Sequence, residues 1–346
     1  MRRPCLAILV LALAHFAAAR DDDGTLGLVR TPNNGMPAMV LAGENFEVDA
    51  AAQATLHLAA GDGTRLAMYA EWNELPGGRW RAVCTVPASA TPGAYALEAA
   101  AGENQDVTAR AVYVMEEMPA YYVIAHLTDT HVGSNRHPRS AGAIFADLIA
   151  AVNESETTFA AITGDLTESG EPDEFRAFLD VLDTCAKPTF VVPGNHDRAG
   201  LHYAHFFGPM TYRFRFGDDG YLAFDTKDFI MADELGGQDA DLQRFRRELK
   251  ASRWTVGLTH RYVQMMGMRS QLTLFVDNPL DALLFGHYHS AEAPPIAQMP
   301  WGKTLPILTP AAVDGHLRYI DMTARGPLAR EPERLAETGA PQAEGD

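Results

Sequence analysis

The sequence predicts an all-β sandwich followed by an α/β domain, and three observations carry that expectation. Short alternating segments separated by turn residues fill Thr25 to Val114. Beyond Ala120, apolar runs alternate instead with helical patterns. Five of those runs end in Asp, Asn or His. A chain of 346 residues has room for two such units, and its 47% apolar and 21% charged content is that of a globular protein.

The N-terminus, MRRPCLAILVLALAHFAAAR, reads as a leader rather than part of the fold. Arg2 and Arg3 give a basic start, Leu6 to Phe16 an apolar core, and Ala17 to Ala19 a small-residue cleavage site. The apolar run is shorter than the roughly 20 residues that span a bilayer. Residues 1–19 are thus expected to be a signal peptide and the mature protein to be exported, periplasmic or secreted. Cys84 and Cys185, left after cleavage, fall in different expected domains and are read as small buried residues. A formal charge of −17 argues against a generic nucleic-acid or anionic-membrane surface. An anionic substrate would need local positive charge at its site, which metal ions would supply.

In the first part, ATLHLAA runs into GDGT, RWRAVCTVP into ASATPG, and AYALEAA into AGENQ. Alternation with a turn about every ten residues is the signature of a β-sandwich, here residues 25–117. The pattern resembles immunoglobulin or fibronectin-like modules placed before secreted hydrolases. Such a module is expected to act as a spacer, or to dock another protein or a surface. His57 alternates with Leu56 and Leu58 and is read as solvent-facing. The link Glu116 to Ala120 is the expected boundary, because Pro119 stops strand pairing.

The second part is read strand by strand. Tyr121 to Leu127 runs into TDTH, and Thr158 to Ile162 into TGD. Thr189 to Val192 runs into PGNHD, Trp254 to Leu258 into TH, and Asp281 to Phe285 into GHYH. In α/β enzymes sites collect at the carboxyl ends of strands. Between these runs, Ser140 to Val152 repeats apolar residues at helical spacing. A second helix starts at Pro172 with Phe175, Phe178, Leu179 and Leu182 on one face.

The polar ends collect Asp129, His131, Asp165, Asn195, His196, His260, His287 and His289. Imidazole nitrogen and carboxylate oxygen are the mixed donors that suit Mn, Fe or Zn. In an extended chain, residues i and i+2 share a face. Asp129 with His131, and His287 with His289, are therefore expected to reach inward together. Gly164, Gly194 and Gly286 are expected to let the backbone turn sharply beside them.

This set, in this order, resembles the calcineurin-like metallophosphoesterases over about Tyr121 to Met322. GDLTESGEPDEF and HLTDTH look most like the branch of bacterial cyclic-nucleotide-type (class III) phosphodiesterases. FFGPMTYRFRFGDDGYLAFDT resembles the hairpin of secreted relatives. The resemblance implies a four-layer α-β-β-α sandwich over residues 120–323 and a centre of two divalent metal ions. In it Asp129, His131, Asp165 and His289 would hold one ion. Asp165 would bridge to a second held by Asn195, His260 and His287, with a hydroxide between the ions.

The resemblance also implies that His196 protonates the leaving group or contacts the phosphoryl oxygen. Many relatives orient that histidine with an Asp three residues past the bridging Asp. Glu168 stands there, one methylene longer, so that either the pair survives with shifted geometry or His196 acts mainly as a hydrogen-bond donor. Purple acid phosphatases carry a tyrosine at that position, so an Fe(III) charge-transfer site is not expected. After His260 relatives often continue with histidine and proline, whereas this chain reads HRYVQMMGM. Arg261 is read as a substrate-binding candidate or a solvated loop residue, and Met265, Met266 and Met268 as a substrate wall or ordinary packing. Arg136, His137 and Arg139 are candidates to guide an anion, or are plain surface. Asp197 is read as a partner of a ligand or as a turn cap. The tail, 324–346, has little apolar content and is expected to be unstructured.

The expected function is metal-dependent phosphoester hydrolysis with phosphodiesters favoured. A phosphomonoesterase or nucleotidase of the same fold, and an inert exported binding protein, are the alternatives.

Overall fold

The computed structural model describes residues 24–225, 238–262, 271–295 and 303–335. The expected leader and the trio Met265, Met266 and Met268 lie outside the described residues. The N-terminal part holds β1 (Val29–Thr31), β2 (Ala38–Leu41), β3 (Asn45–Ala50), β4 (Thr55–Ala60) and β5 (Arg65–Ala67). It continues with β6 (Tyr69–Leu75), β7 (Arg79–Thr85), β8 (Gly93–Ala101) and β9 (Asn104–Met115). These strands make two sheets, in the orders β1-β3-β7-β6 and β2-β9-β8-β4-β5. Period-2 alternation sends Phe46 and Val48 of one sheet, and Leu56, Leu58, Leu97 and Val112 of the other, into one core. Cys84 is free and buried there, while Cys185 is free in the core of the following domain.

The rest of the chain runs β10 (Tyr122–Leu127), α1 (Ala141–Glu154), β11 (Thr157–Thr163), α2 (Pro172–Leu182), β12 (Thr189–Val192) and α3 (His202–Phe207). A hairpin of β13 (Tyr212–Phe216) and β14 (Asp219–Ala223) follows, then α4 (Gln238–Glu248), β15 (Thr255–Leu258), β16 (Ala282–Phe285) and β17 (Leu305–Leu308). The described chain closes with β18 (His316–Thr323), β19 (Gly326–Ala329) and β20 (Glu333–Arg334). Helix starts follow the local chemistry. Ser140 caps α1 by accepting from the Ala143 amide, and Pro172 opens α2, where its missing N–H costs nothing.

One sheet has the order β12-β11-β10-β18-β19, with β20 also on β18; the other runs β13-β14-β15-β16-β17. Tyr221, Ala223, Val256, Leu258, Ala282 and Leu284 of the second sheet face the first across the central core. Their neighbours Leu222, Phe224, Leu283 and Phe285 face the opposite way, onto Leu242 and Phe245 of α4. Phe145 of α1 stacks on Phe178 of α2, 5.0 Å between centroids, over the outer face of the first sheet. The result is the four-layer α-β-β-α sandwich. Strands β10, β11 and β12 are mutually parallel, as are β14 to β17, so the ligand-bearing strand ends gather at rims of the two sheets.

The tail needs a correction. Within 324–335 the chain is ordered: β19 pairs with β18, and β20 joins the same strand near His316. Pro327 hides this from a sequence reading, but β19 is an edge strand, where a missing donor is tolerated. Residues 336–346 lie outside the described residues.

Candidate metal centre

Strand β10 stops at Leu127, and the residues after it leave the extended state. Asp129 and His131 have φ of 57° and 45°, Asp165 48°, His287 74° and His289 52°. The expectation that each i, i+2 pair shares a face of an extended strand is therefore corrected. Both pairs enter the centre from left-handed backbone. Main-chain bonds hold it there: Asp129 N to Gly164 O and His131 N to Asp165 O, both 2.9 Å, and Val132 N to Leu166 O, 3.0 Å. Such conformations cost on the order of 1–3 kcal/mol each and persist only where the surroundings over-determine them.

The glycines act differently from one another. Gly164 does turn, with φ +83°. Gly194 and Gly286 instead permit close approach. A Cβ on Gly194 would sit 2.1 Å from Asp165 Oδ1, and one on Gly286 would sit 1.8 Å from Thr128 Oγ1.

Six side chains then meet at the rim, and a seventh stands next in sequence to His196, whose amide binds Asp165. Asp129, His131 and His289 bring one donor atom each within 4.8 Å of one another, and so do Asp165, His260 and His287. In the first group His131 Nε2 and His289 Nε2 are 3.3 Å apart. In the second, His287 Nδ1 lies 3.2 Å from His260 Nε2. Asp165 Oδ2 faces both groups, 3.8 Å from His131 Nε2 and 3.2 Å from His260 Nε2. The seventh side chain is Asn195, whose Oδ1 is buried without a hydrogen-bond partner. Asp129 Oδ1 is likewise buried and unpartnered; His289 Nε2 lies 3.2 Å away but off the hydrogen-bond direction. Buried oxygens that bond to nothing in the protein are what a cation site requires. The donor set fits a pair of metal ions.

The electrostatics agree with that chemistry. Burial works to raise Asp165 and Asp129, yet the neighbouring histidines hold both below the usual carboxylate range. Burial opposes charge on His260, but Asp165 and Asp129 push it up to about 9. This is a pocket that demands positive charge. His260 is aimed by its Nδ1, 2.9 Å from the Thr163 carbonyl, which leaves Nε2 facing inward.

His196 and Glu168 stand beside the centre, a carboxylate oxygen of Glu168 within 4.8 Å of a His196 ring nitrogen but with no hydrogen bond between them. His196 Nδ1 lies 2.5 Å from the main-chain oxygen of Glu168, and its amide donates to Asp165 Oδ1 at 2.8 Å. The Glu168 carboxylate reaches toward its other neighbours, with Oε2 2.9 Å from His131 Nδ1 and Oε1 3.2 Å from Arg136. The contact to His131 is at hydrogen-bond distance but out of line for one. The extra methylene carries the carboxylate past His196 to the back of a candidate ligand. His137 is held by Asp314 at 2.9 Å and Arg139 by Asp147 at 2.7 Å. Arg261 is half-buried; its charge, after burial and His260, helps push His287 down to about 4.

Asp197 is a clamp. It is buried and accepts from the amides of Leu166, Thr167 and Gly194 and from the Thr167 hydroxyl, at 2.8–3.0 Å. It thereby ties the GDLT loop to the GNHD loop. Sequence reasoning also missed the layer below. Fully buried His126 joins Thr163 and Thr309 hydroxyls at 2.7 Å each, and Thr128 Oγ1 donates to Asp129 Oδ2 at 2.7 Å. A histidine inside an apolar strand was the available signal for it.

Comparison with known proteins agrees with this picture. Residues 122–291, just under half of the chain, match the model of the calcineurin-like phosphoesterase family. The glycerophosphodiester phosphodiesterase GpdQ of Enterobacter lignolyticus is 30% identical over 81 residues, 22% of this chain and 29% of that protein. A probable cyclic nucleotide phosphodiesterase of Vesicomyosocius okutanii is 23% identical over 187 residues, 49% of this chain and 79% of that protein. The chain thus spans less than a third of the first relative and about four fifths of the second. Among solved structures, the purple acid phosphatase PPD1 of yellow lupin (Lupinus luteus) shares the fold. Its TM-score is 0.51 at 10% identity, with 82% of this chain and 68% of that one covered. Residues 122–291 are a calcineurin-like metallophosphoesterase domain.

Proposed function

We propose that the protein is an exported hydrolase that cleaves phosphodiesters at a centre of two divalent ions, Mn, Fe or Zn. The observation that carries this reading is the convergence of two donor groups on one carboxylate oxygen, Asp165 Oδ2. Asp129, His131, Asp165 and His289 would hold one ion, and Asp165, Asn195, His260 and His287 the other. Bound there, the ions supply an activated water and positive charge for the phosphoryl oxygens.

The chain's own residues do the rest. The Glu168 carbonyl fixes the Nδ1 side of His196, which leaves Nε2 to contact the phosphoryl oxygen or to give a proton to the departing alcohol. A cavity of about 340 Å³ opens beside it, lined by Glu168, Ser169, Asn195, His196, Arg198 and Ala199. That polar lining suits a hydroxylated leaving group. Preference for a diester rests on charge. Arg136 is held by Glu168 and Arg198 by Asp225, so two guanidiniums near the site are already neutralised. A diester carries one negative charge at phosphorus, whereas a monoester brings a second that this surround does little to offset. The two sequence relatives, a glycerophosphodiester phosphodiesterase and a probable cyclic nucleotide phosphodiesterase, point the same way.

Hydrolysis of bis-p-nitrophenyl phosphate and p-nitrophenyl phosphate, compared with Mn²⁺, Zn²⁺ and Fe²⁺, tests the reading. Faster diester turnover is expected with at least one metal. A clear monoester preference with every metal defeats the diester assignment, and no turnover of either ester defeats the enzyme assignment.

A further inference from the structure

The N-terminal part has a feature that a mere spacer would not need. β12 is the edge strand of its sheet, and it leads directly to Asn195 and His196. Its free side is taken by residues 33–36. Val191 N donates to Gly35 O at 2.9 Å, and Thr189 Oγ1 donates to Asn34 O at 2.7 Å. The same stretch grips the helix on the far side of the loop. Asn33 Nδ2 donates to the Phe207 carbonyl of α3 at 3.0 Å, and Leu26 N donates to His205 O at 2.8 Å. The loop 193–201, with Asn195 and His196, therefore hangs between two elements held by one strap.

The fit is close. A Cβ on Gly35 would lie 2.6 Å from the Phe207 ring and 2.7 Å from Val191, both fully buried. The strap is itself anchored. Arg110 of β9 has φ 53°, the one left-handed non-glycine among the described residues that lies outside the centre. Its guanidinium reaches Asn34 Oδ1 at 3.2 Å and the Lys187 carbonyl, just ahead of β12, at 3.0 Å. Met36 is buried in the core of the following domain.

We infer that the strap, residues 24–36, positions Asn195 and His196, and that Gly35 and Asn33 are its positioning residues. The inference rests on the two-ion reading of the centre. Asp129, His131 and His289 arise from β10 and β16, which have strands on both sides. Asn195 alone among the seven hangs from the edge strand that the strap covers. A shift of β12 should therefore loosen the ion held by Asn195 before it touches the other.

The test is titration of the metal-stripped full-length chain with Mn²⁺ by calorimetry, alongside thermal melting. Wild type is expected to take two ions. Gly35→Val should bind the first within about threefold of wild type and the second at least tenfold more weakly. Asn33→Ala, a gentler change, should show the same order with a smaller loss. Leu58→Ala, which opens a cavity in the N-terminal core away from the strap, should lower the melting temperature and leave both affinities in place. Wild-type affinities in both strap variants overturn the inference. So does equal weakening of both ions, or selective loss of the second ion in Leu58→Ala. If wild type itself does not take two ions, the two-ion reading fails instead.

Discussion

Left-handed backbone serves two different ends in the two halves of this molecule. In the N-terminal sheets it falls, Arg110 aside, on Gly43, Gly63, Gly77, Gly78, Gly93 and Gly102, where an added Cβ would meet nothing within 4 Å. In the catalytic domain it also falls on Asp129, His131, Asp165, His287 and His289. A hairpin needs only the conformation, so glycine supplies it cheaply and the space around it stays open. A metal centre needs the conformation and a donor side chain on the same residue. Strain is accepted there, and crowding follows: Gly194 and Gly286 exist so that neighbours can approach, one at Asp165 and one at Thr128.

The strongest way to break this contrast is to remove the residue common to both donor groups. Asp165→Asn should lower diester turnover by on the order of 10³-fold, the scale seen when a principal electrostatic group is lost. The melting temperature should stay near wild type, because the loops around it are held by main-chain bonds and by Asp197. Turnover close to wild type in this variant would remove Asp165 from the centre.

Gly286→Ala ranks next. The added methyl would press on Thr128 Oγ1 and lie 2.5 Å from Asp129 Oδ2, so Asp129 must move. Displacing a reacting centre by about 1 Å costs about 10²-fold in rate. The measurement is kcat at saturating Mn²⁺; an unchanged value would show that the close approach has no bearing on Asp129.

How much of this was legible follows from the same contrast. The strands were legible because apolar runs stop at polar clusters, and β12 has the expected bounds Thr189–Val192. The eight-residue constellation was legible as composition at strand ends. Its backbone was not, because nothing in the letters Asp or His announces a positive φ; it arises from loop-to-loop bonds such as His131 N to Asp165 O. The direction of Glu168 was hidden for a similar reason. Position three past Asp165 suggested His196, but side-chain length and Arg136 decide where the carboxylate goes. The strap was least visible of all. TPNNGM has no periodicity, and Asn34 meets Thr189 across 155 residues of chain.

Glu168→Gln examines that redirected carboxylate and should act more mildly than either change above. A group behind a ligating histidine typically contributes 10- to 100-fold in metal affinity, and the poor alignment here places the effect near about 10-fold. Mn²⁺ titration should show the loss at one ion only, that held by His131. Turnover at saturating Mn²⁺ should fall little, since His196 is held by the Glu168 main-chain oxygen, which the substitution keeps. A large loss of turnover at saturating metal would return the carboxylate to the role of partner to His196.

The smallest effect belongs to the other side of the contrast. Gly77 lies between β6 and β7 at φ +85°, with open space where a side chain would project. Gly77→Ala therefore has no clash to relieve, and its cost is the left-handed conformation alone, roughly 1–2 kcal/mol. That should appear as a lower melting temperature with unchanged kcat and unchanged Mn²⁺ affinity. The hairpin tip shares none of the strap's bonds to β12 or α3, so strain placed there has no route to Asn195. Lost metal affinity in Gly77→Ala would mean that the N-terminal sheets act on the centre as one body, beyond the contact at residues 24–36 and Arg110.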